Sequence, residues 1–175
     1  AVDETFRTEI KIADFAFRKG IKIACNLSYY LAKKGGNFLK DLLKKVYFLV
    51  LNEEEAELLV GGKNIFEKLH SLGPKIVCVT REAKGSWISD GKNFYDVKAH
   101  KINAVEETGA GDAFASGFVF GMVKLRNVET AAKIGTLNAE SVIQKVGAKN
   151  GLLSYNEITN LMKIKHVEVN KKLLN

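Results

Sequence analysis

The sequence predicts an α/β protein with a doubly wound, mainly parallel sheet, helices on both faces and an added antiparallel hairpin. First, short apolar runs typical of strands alternate with longer segments of helical periodicity. Second, residues 46–51 are apolar without interruption, which is typical of a strand buried on both faces of a parallel sheet. Third, Asp90-Gly91 separates two alternating runs, which is a strong hairpin signal. The length of 175 residues predicts a single α/β domain over 1–175.

Local patterns predict the individual elements. Apolar positions recur at helical spacing in segment 8–19, and Gly20 closes that helix. Asn37 is the expected N-cap of the next helix, because its side chain can accept a backbone N–H. Strands are predicted over 21–25, 46–51, 75–80, 85–89 and 93–97, and helices over 8–19, 37–45, 64–72, 110–124, 128–145 and 155–164.

Composition and charge argue against several classes of protein. Apolar residues make up 46% of the chain, which argues against disorder. The net charge is 27 − 20 = +7, but the lysines are scattered without interleaved aromatic residues, so a solvated surface rather than nucleic-acid binding is expected. Neither a membrane-length apolar run nor a signal peptide is recognised, so no membrane association is expected. Cys25 and Cys78 lie in strand-like runs, which favours free thiols and a cytoplasmic location.

The stretch 106–114 predicts an anion-binding loop that opens a helix. Gly109, Ala110 and Gly111 stand immediately before an apolar run with helical spacing. The backbone N–H groups of such a loop converge on an anion, and the helix dipole adds attraction. Asp112 places a carboxylate at the same point, which suits removal of a proton from a hydroxyl that attacks a phosphate. The three-residue pattern alone is also typical of an ordinary helix start.

The longer string Thr-Gly-Ala-Gly-Asp-Ala-Phe, followed by Ser-Gly-Phe, is more specific. It resembles the signature of the ribokinase-like (PfkB) carbohydrate and nucleoside kinases, in which Asp-Thr-x-Gly-Ala-Gly-Asp precedes a helix of this composition. The resemblance implies transfer of the γ-phosphate of ATP, with Mg²⁺, to a hydroxyl of a sugar or nucleoside. Asp112 then corresponds to the catalytic base, Gly109, Ala110 and Gly111 to the anion hole, and Thr108 to the threonine of the motif.

Two further motifs gain meaning from this resemblance. Asn52 and Glu55 form Asn-x-x-Glu at the end of a predicted strand, and in the family this motif helps to hold magnesium and phosphate, partly through water. Without the resemblance, the same residues are typical of a helix N-cap and its first turn. The family also shows Thr-x-Gly-x-x-Gly after the next strand, which implies nucleotide contacts for Thr80, Lys84 and Gly85. In this sequence Glu82 replaces the first glycine of that motif, and a plain turn is the alternative.

The remaining expected site residues follow the motif or lie far from it in the chain. Glu106 stands where the family commonly has an Asp that often holds a monovalent cation such as K⁺, and the longer side chain makes that role doubtful. Asn138, in a helix rich in small residues, and Gly147-Ala148 correspond to the lining of the adenine pocket. Close helix packing explains the small residues equally well.

The resemblance covers about residues 21–148 and concerns the C-terminal, nucleotide-binding part of such kinases. The N-terminal part, which supplies the lid and most of the substrate pocket in the family, has no counterpart in this sequence, so little activity is expected from the chain alone. A string Gly-Thr-Leu-x-Ala-Glu-x-Val-Ile from Gly135 resembles the adenosine-kinase-like branch. The alternative is a non-catalytic nucleotide-binding module or an interaction fragment. An exposed sheet edge would favour a homodimer, and the sequence does not identify the phosphate acceptor.

Overall fold

The computed structural model describes residues 2–174. The chain divides into two compact units, Ala1–Cys78 and Val79–Asn175, whereas its length predicts one domain. The six strands belong to one mixed sheet in the order β1-β2-β3-β4-β5-β6, and β3 runs across the boundary between the units. The predicted α/β class with an antiparallel addition is confirmed.

The first unit alternates helices with parallel strands. Strand β2 is buried at Val46 and from Phe48 to Leu51, as its apolar run predicts, and Tyr47 is half-buried. It pairs in parallel with β1, with Ala24 opposite Phe48 and Asn26 opposite Val50. The elements are α1 (Val2–Arg18), β1 (Ile23–Asn26), α2 (Tyr29–Ala32), α3 (Gly36–Leu43), β2 (Val46–Asn52), α4 (Glu53–Val60), α5 (Ile65–Ser71) and β3 (Ile76–Thr80).

Helix α1 buries only part of its broad apolar face. Phe6 is buried and stacks on Phe38 with 4.9 Å between the ring centroids. In contrast, more than half of the surface of Ile12, Phe15 and Phe17 is exposed to solvent. The helical periodicity therefore predicts the element correctly but does not show how much of that face this chain covers.

The second unit begins with the predicted hairpin. Strands β4 (Ser86–Ser89) and β5 (Asn93–Val97) are antiparallel, with Ser86 opposite Val97. Asp90 closes the turn, since its carboxylate accepts the backbone N–H groups of Lys92 and Asn93 and the hydroxyl of Tyr95. Burial and the neighbouring Asp90 raise the pKa of Tyr95 to about 12, so this hydroxyl remains a donor at physiological pH.

A sixth strand, β6 (Val169–Leu173), is absent from the sequence prediction. It pairs antiparallel with β5, with Val169 opposite Val97. Lys171 and Lys172 interrupt the apolar pattern, which is why the segment resembles a charged tail. Their ammonium groups lie 5.5 Å from the ring centroid of Tyr95 and 5.1 Å from that of Phe94. Exposed lysines on a terminal strand also discourage edge-to-edge pairing.

Three helices complete the second unit: α6 (Ala110–Leu125), α7 (Val128–Val142) and α8 (Tyr155–Ile164). Glycines let α6 and α7 pack closely. A Cβ added to Gly121 would lie 2.7 Å from the Cα of Ala131, and one added to Gly135 would lie 2.9 Å from the carbonyl oxygen of Phe114. Real Cβ contacts are not this short, so the two backbones approach each other at a distance that only glycine permits.

Several predicted boundaries are wrong. Asn37 is not an N-cap, because α3 already begins at Gly36 and Gly35, with φ of 80°, precedes it. Helix α7 ends at Val142 rather than at residue 145. The short α2 is missing from the prediction. Residues 98–109, which connect β5 to α6, form an irregular segment. Within residues 2–174, no helix combines the length and apolar character of a membrane span.

Close packing of α6 on α7 predicts a steep cost for one added methyl group. Gly121→Ala should lower the free energy of unfolding by about 2 kcal/mol, because the methyl group overlaps Ala131. Gly111→Ala in the same helix is the matched control, since nothing lies within 4 Å of its added Cβ. The free energy of unfolding of both variants is measured by urea denaturation. Equal stability of the two variants would contradict the close approach of the helices.

Candidate active site

The loop at the start of α6 has the geometry expected of an anion site. Gly109 precedes the helix with φ of 86° and ψ of −2°, in the left-handed region that favours glycine. Gly111 and Asp112 are exposed in the first helical turn, and the space beside Gly111 is open. First-turn N–H groups have no acceptor inside their own helix. The N–H of Ala110, however, donates to the carbonyl oxygen of Glu107 at 3.2 Å, so this predicted donor is engaged in a turn.

The structure brings the predicted residues Gly147 and Ala148 against this loop. A Cβ added to Gly109 would lie 2.3 Å from the carbonyl oxygen of Ala148 and 2.9 Å from its Cα. Gly109 is therefore required for two reasons, its backbone conformation and its contact with the segment after α7. The loop at Gly109 and the segment at Gly147 and Ala148, almost forty positions apart in the chain, are thus in direct contact.

Glu106 joins the same two segments. Its Oε2 accepts the backbone N–H of Gly147 at 2.8 Å. The backbone N–H groups of Val105 and Glu106 both donate to the carbonyl oxygen of Ile143, at 2.7 and 3.2 Å. The Gly147 N–H, with a further hydrogen bond from the Thr108 side chain, holds the pKa of Glu106 below its usual range. The carboxylate therefore fastens the loop in this structure, and binding of a monovalent cation stays a prediction.

The lowered pKa of Glu106 gives a pH prediction with a defined sign. A carboxylate that is more acidic in the folded protein contributes stability above its unfolded pKa, about 4.3 for Glu, and loses it as the pH falls through the lower folded value. The amide proton shift of Gly147 in NMR spectra should therefore titrate with a midpoint below about 4.3.

Glu106→Ala should abolish this titration of Gly147. Glu107→Ala, which removes the exposed neighbouring carboxylate, is the control and should preserve it. A Gly147 shift that is independent of pH in the wild-type chain would contradict the assignment of this hydrogen bond.

Asn138 is buried in the middle of α7 and uses both ends of its side-chain amide. Its Nδ2 donates to the carbonyl oxygen of Ala113 in the first turn of α6, at 2.8 Å. Its Oδ1 accepts the N–H of Leu153 at 3.0 Å. Asn138 therefore connects the start of α6 to the chain beyond the Gly147 segment. Its place at an adenine pocket stays a prediction, and the observed bonds give it a structural role between these two segments.

The turn that begins at Thr80 also lies in the second unit. Residues Glu82–Lys84 form a 3₁₀ turn, and the N–H of Arg81 donates to the carbonyl oxygen of Gly85 at 2.8 Å. A Cβ on Gly85 would lie 2.0 Å from the carbonyl oxygen of Val97, so this glycine of the motif is sterically required. Lys84 is exposed at the end of the turn.

Glu82, which replaces a motif glycine, keeps the backbone conformation that glycine favours. Its φ is +50°, in the left-handed region that costs a residue with a side chain roughly 1 kcal/mol or more. Beside it, the guanidinium group of Arg81 lies 3.6 Å from the ring centroid of Trp87 and 3.7 Å from Asp96. The shape of the turn is thus preserved although its glycine is absent.

Restoring glycine at this turn should stabilise the chain. Glu82→Gly is expected to raise the free energy of unfolding by about 0.5–1 kcal/mol, because it relieves the left-handed strain. Ala83→Gly, one residue further along the same exposed turn, is the control and should destabilise by a similar amount. Thermal unfolding measures the change in stability of both variants relative to the wild-type chain. Destabilisation by Glu82→Gly would show that the glutamate side chain has a stabilising role of its own.

Asn52 and Glu55, in the first unit, form a capping box at the start of α4. The Asn52 side chain accepts the N–H of Glu55, and Glu55 accepts the N–H of Asn52, both at 2.8 Å. Burial raises the pKa of Glu55. The capping box thus engages the single side-chain oxygen of Asn52 and Oε2 of Glu55, and the backbone of Tyr29 also hydrogen-bonds to the Glu55 carboxylate. Oxygens engaged in this way suit a Mg²⁺ ion that keeps most of its water ligands better than one held directly by the protein.

Across residues 4–174, no three acidic, histidine or cysteine side chains cluster as a metal site. A water-mediated role of Glu55 in holding Mg²⁺ stays a prediction. Cys25 and Cys78 are free thiols, as predicted. Burial raises the pKa of Cys25 to about 11, so its thiol stays protonated at neutral pH.

Residues 12–154 match the model of the pfkB family carbohydrate kinases. The chain belongs to this family. Among curated relatives, it is 32% identical over 123 residues to an uncharacterised sugar kinase of Archaeoglobus fulgidus, covering 69% of this chain and 49% of the relative. It is 29% identical over 147 residues to the cytidine kinase of Thermococcus kodakarensis, covering 79% of this chain and 52% of that protein. The chain thus spans about half the length of the curated relatives that it matches.

Solved structures of this family have the same fold. Ribokinase of Arabidopsis thaliana, complexed with ribose and ATP, superposes with a TM-score of 0.77 at 24% identity, covering 89% of this chain and 52% of the ribokinase. Adenosine kinase of Sinorhizobium meliloti superposes with a TM-score of 0.75 at 25% identity, covering 90% of this chain and 49% of that kinase. The pfkB kinase chain therefore has a ribokinase-like fold, and the resemblance predicted from its motif is confirmed.

Proposed function

We propose that this chain is the nucleotide-binding part of a kinase that transfers the γ-phosphate of ATP to a hydroxyl of a sugar or nucleoside. One observation carries the proposal. At the start of α6, Gly109 lies against Ala148, and Glu106 binds Gly147, beside the exposed carboxylate of Asp112. An anion site next to a carboxylate suits phosphoryl transfer to a hydroxyl better than simple storage of a phosphate.

Asp112 acts as the base in this proposal. It lies in the first turn of α6, where its exposed side chain can accept a proton from an acceptor hydroxyl. Removal of that proton makes the oxygen a better nucleophile toward the γ-phosphorus. A positioned base typically contributes on the order of 10²- to 10⁴-fold to the rate.

The anion hole stabilises the negative charge that the γ-phosphate carries in the transition state. Gly109 and Gly111 supply backbone N–H groups, and the helix dipole of α6 acts in the same direction. The Ala110 N–H contributes less, because Glu107 already accepts it. Loss of one donor from such a site typically costs about 3 kcal/mol of transition-state stabilisation.

Other residues bind and orient the nucleotide. Gly147 and Ala148, held by Glu106, line the adenine side in this proposal, and Asn138 fixes the helix behind them. Thr80, Lys84 and Gly85 contact the phosphates or ribose from the second turn. When bound, Mg²⁺ neutralises phosphate charge. Asn52 and Glu55 would hold it through water.

The acceptor differs among relatives, which include a cytidine kinase, an adenosine kinase and a ribokinase. We therefore assign only the class of the acceptor, a sugar or nucleoside, with ATP as donor.

The two protonated thiols suit a cytoplasmic location. Homodimerisation through an exposed sheet edge stays a prediction that light scattering can test. The alternative function is a non-catalytic nucleotide-binding module, since the chain spans half the length of its relatives.

Titration of the 175-residue chain with Mg-ATP in a calorimeter tests the nucleotide part of the proposal, with Mg-GTP and ADP as comparisons. Saturable binding of adenine nucleotides is expected. Turnover is then measured in a chimera that joins the preceding half of the Thermococcus kodakarensis cytidine kinase to this chain, with cytidine as acceptor. Binding by the chain without turnover in a folded chimera would favour the non-catalytic module. Absence of nucleotide binding in both proteins would contradict the proposal.

Asp112→Asn should separate catalysis from binding. The amide keeps the size of the side chain but accepts a proton far less readily, so turnover by the chimera should fall at least about a hundredfold. The dissociation constant for Mg-ATP should change little, because the backbone donors remain. Glu107→Gln, which neutralises the adjacent exposed carboxylate, is the control and should keep its activity. Full activity of Asp112→Asn would remove the assignment of the base.

A further inference from the structure

A buried glutamate on α7 holds a histidine of the irregular segment 98–109. Glu140 is 5% exposed, and both of its carboxylate oxygens lie 2.9 Å from Nδ1 of His100. The same carboxylate accepts the backbone N–H of His100 at 2.8 Å. Sequence analysis assigns no role to either residue, although a glutamate among the small and apolar residues of α7 is a recognisable signal.

Both ring nitrogens of His100 lie within hydrogen-bond distance of an acceptor. Nδ1 lies 2.9 Å from the Glu140 carboxylate, and Nε2 lies 3.1 Å from the backbone carbonyl oxygen of His166. An imidazole always carries a hydrogen on at least one ring nitrogen, so it can donate to an acceptor of this kind. Together with the backbone N–H of His100, the ring gives partners to a carboxylate that is costly to bury alone.

Glu140 and His100 lie at the start of the segment that leads to the anion-binding loop. Further along, Val105 and Glu106 bind the carbonyl oxygen of Ile143, and Glu106 binds Gly147. The segment is thus fastened to the end of α7 at successive points. The contact of His100 with Glu140 is the first of these points along the chain.

We infer that Glu140 and His100 are positioning residues that set the path of this segment and hence the place of the Gly109 loop. The inference rests on the proposed function, because it gives the loop its anion-binding role.

The groups around His100 are consistent with this role. Helix α7 presents Glu140, whose backbone carbonyl in turn accepts Nε2 of Gln144. The segment before β6 presents the backbone carbonyl of His166, and Glu168 accepts the backbone N–H of Lys98 through its own carbonyl. The Lys98 ammonium is paired with Asp96 at 2.6 Å. Among these contacts, Glu140 supplies the one charged group bonded to the ring.

Glu140→Gln tests the inference in the 175-residue chain, with Glu129→Gln as the matched control. Glu129 lies on the same helix but pairs with Lys133 at a half-exposed site. Two quantities are measured for each protein at a single neutral pH. One is the exchange protection of the Val105 amide by NMR, corrected for intrinsic exchange. The other is the dissociation constant for Mg-ATP.

Protection of Val105 should be the same in the wild-type chain and in Glu129→Gln. In Glu140→Gln it should be lower by on the order of tenfold, because the ring and the backbone N–H of His100 lose their charged acceptor. The affinity for Mg-ATP should weaken in parallel, while the midpoint of urea denaturation shows that the variant is folded. If Glu140→Gln does not fold, His100→Gln makes the same comparison from the partly exposed side of the pair.

Unchanged protection of Val105 in folded Glu140→Gln would overturn the positioning role. Equal losses of protection throughout the chain would also overturn it, because they would show a general loss of stability. The exchange measurement needs no nucleotide. If no protein binds Mg-ATP, the proposed function fails, and the exchange data still decide whether the pair positions the segment.

Discussion

The close approach of α6 and α7 is the constraint on which the rest of the second unit depends. Gly121 and Gly135 remove the side chains that would separate the two helices, at contacts that no other residue could make. Because the anion-binding loop is the start of α6 and the Gly147 segment follows the end of α7, the distance between the helices also sets the distance between these parts. Packing of the two helix backbones thus determines the distance between these parts independently of the polar side chains.

The polar contacts then refine an arrangement that packing has fixed. Asn138 binds the first turn of α6 from the interior, and Glu106 binds Gly147 from the more exposed side. Asn138 uses both ends of a neutral amide, which carries no charge penalty when buried. The charged Glu106 is exposed enough to remain ionised. The neutral amide thus occupies the buried position, and the charged carboxylate occupies the more exposed one.

Sequence patterns predict most of this fold but only part of the site. Helix α8 is predicted with its observed limits, because a capping box begins it at Ser154 and its apolar face is regular. Strand β6 is not predicted, because its lysines interrupt the apolar pattern and because its pairing with β5 is a long-range interaction. The motif at Gly109 can be recognised in the sequence because its residues are consecutive. Its contact with Ala148 and the pairing of His100 with Glu140 arise only from folding. Where the sequence departs from the motif, at Glu82, the backbone keeps the conformation of glycine.

The stacking of Arg81 on Trp87 has a practical consequence. Trp87 is the one tryptophan among 175 residues, so the intrinsic fluorescence of the chain at long excitation wavelengths comes from a single indole ring. That ring lies 3.6 Å from the Arg81 guanidinium, at the base of the turn proposed to meet the nucleotide. A displacement of Arg81 by a phosphate would alter the field at the indole and shift its emission. The molecule therefore carries its own optical reporter, specific to this turn and free of any attached label.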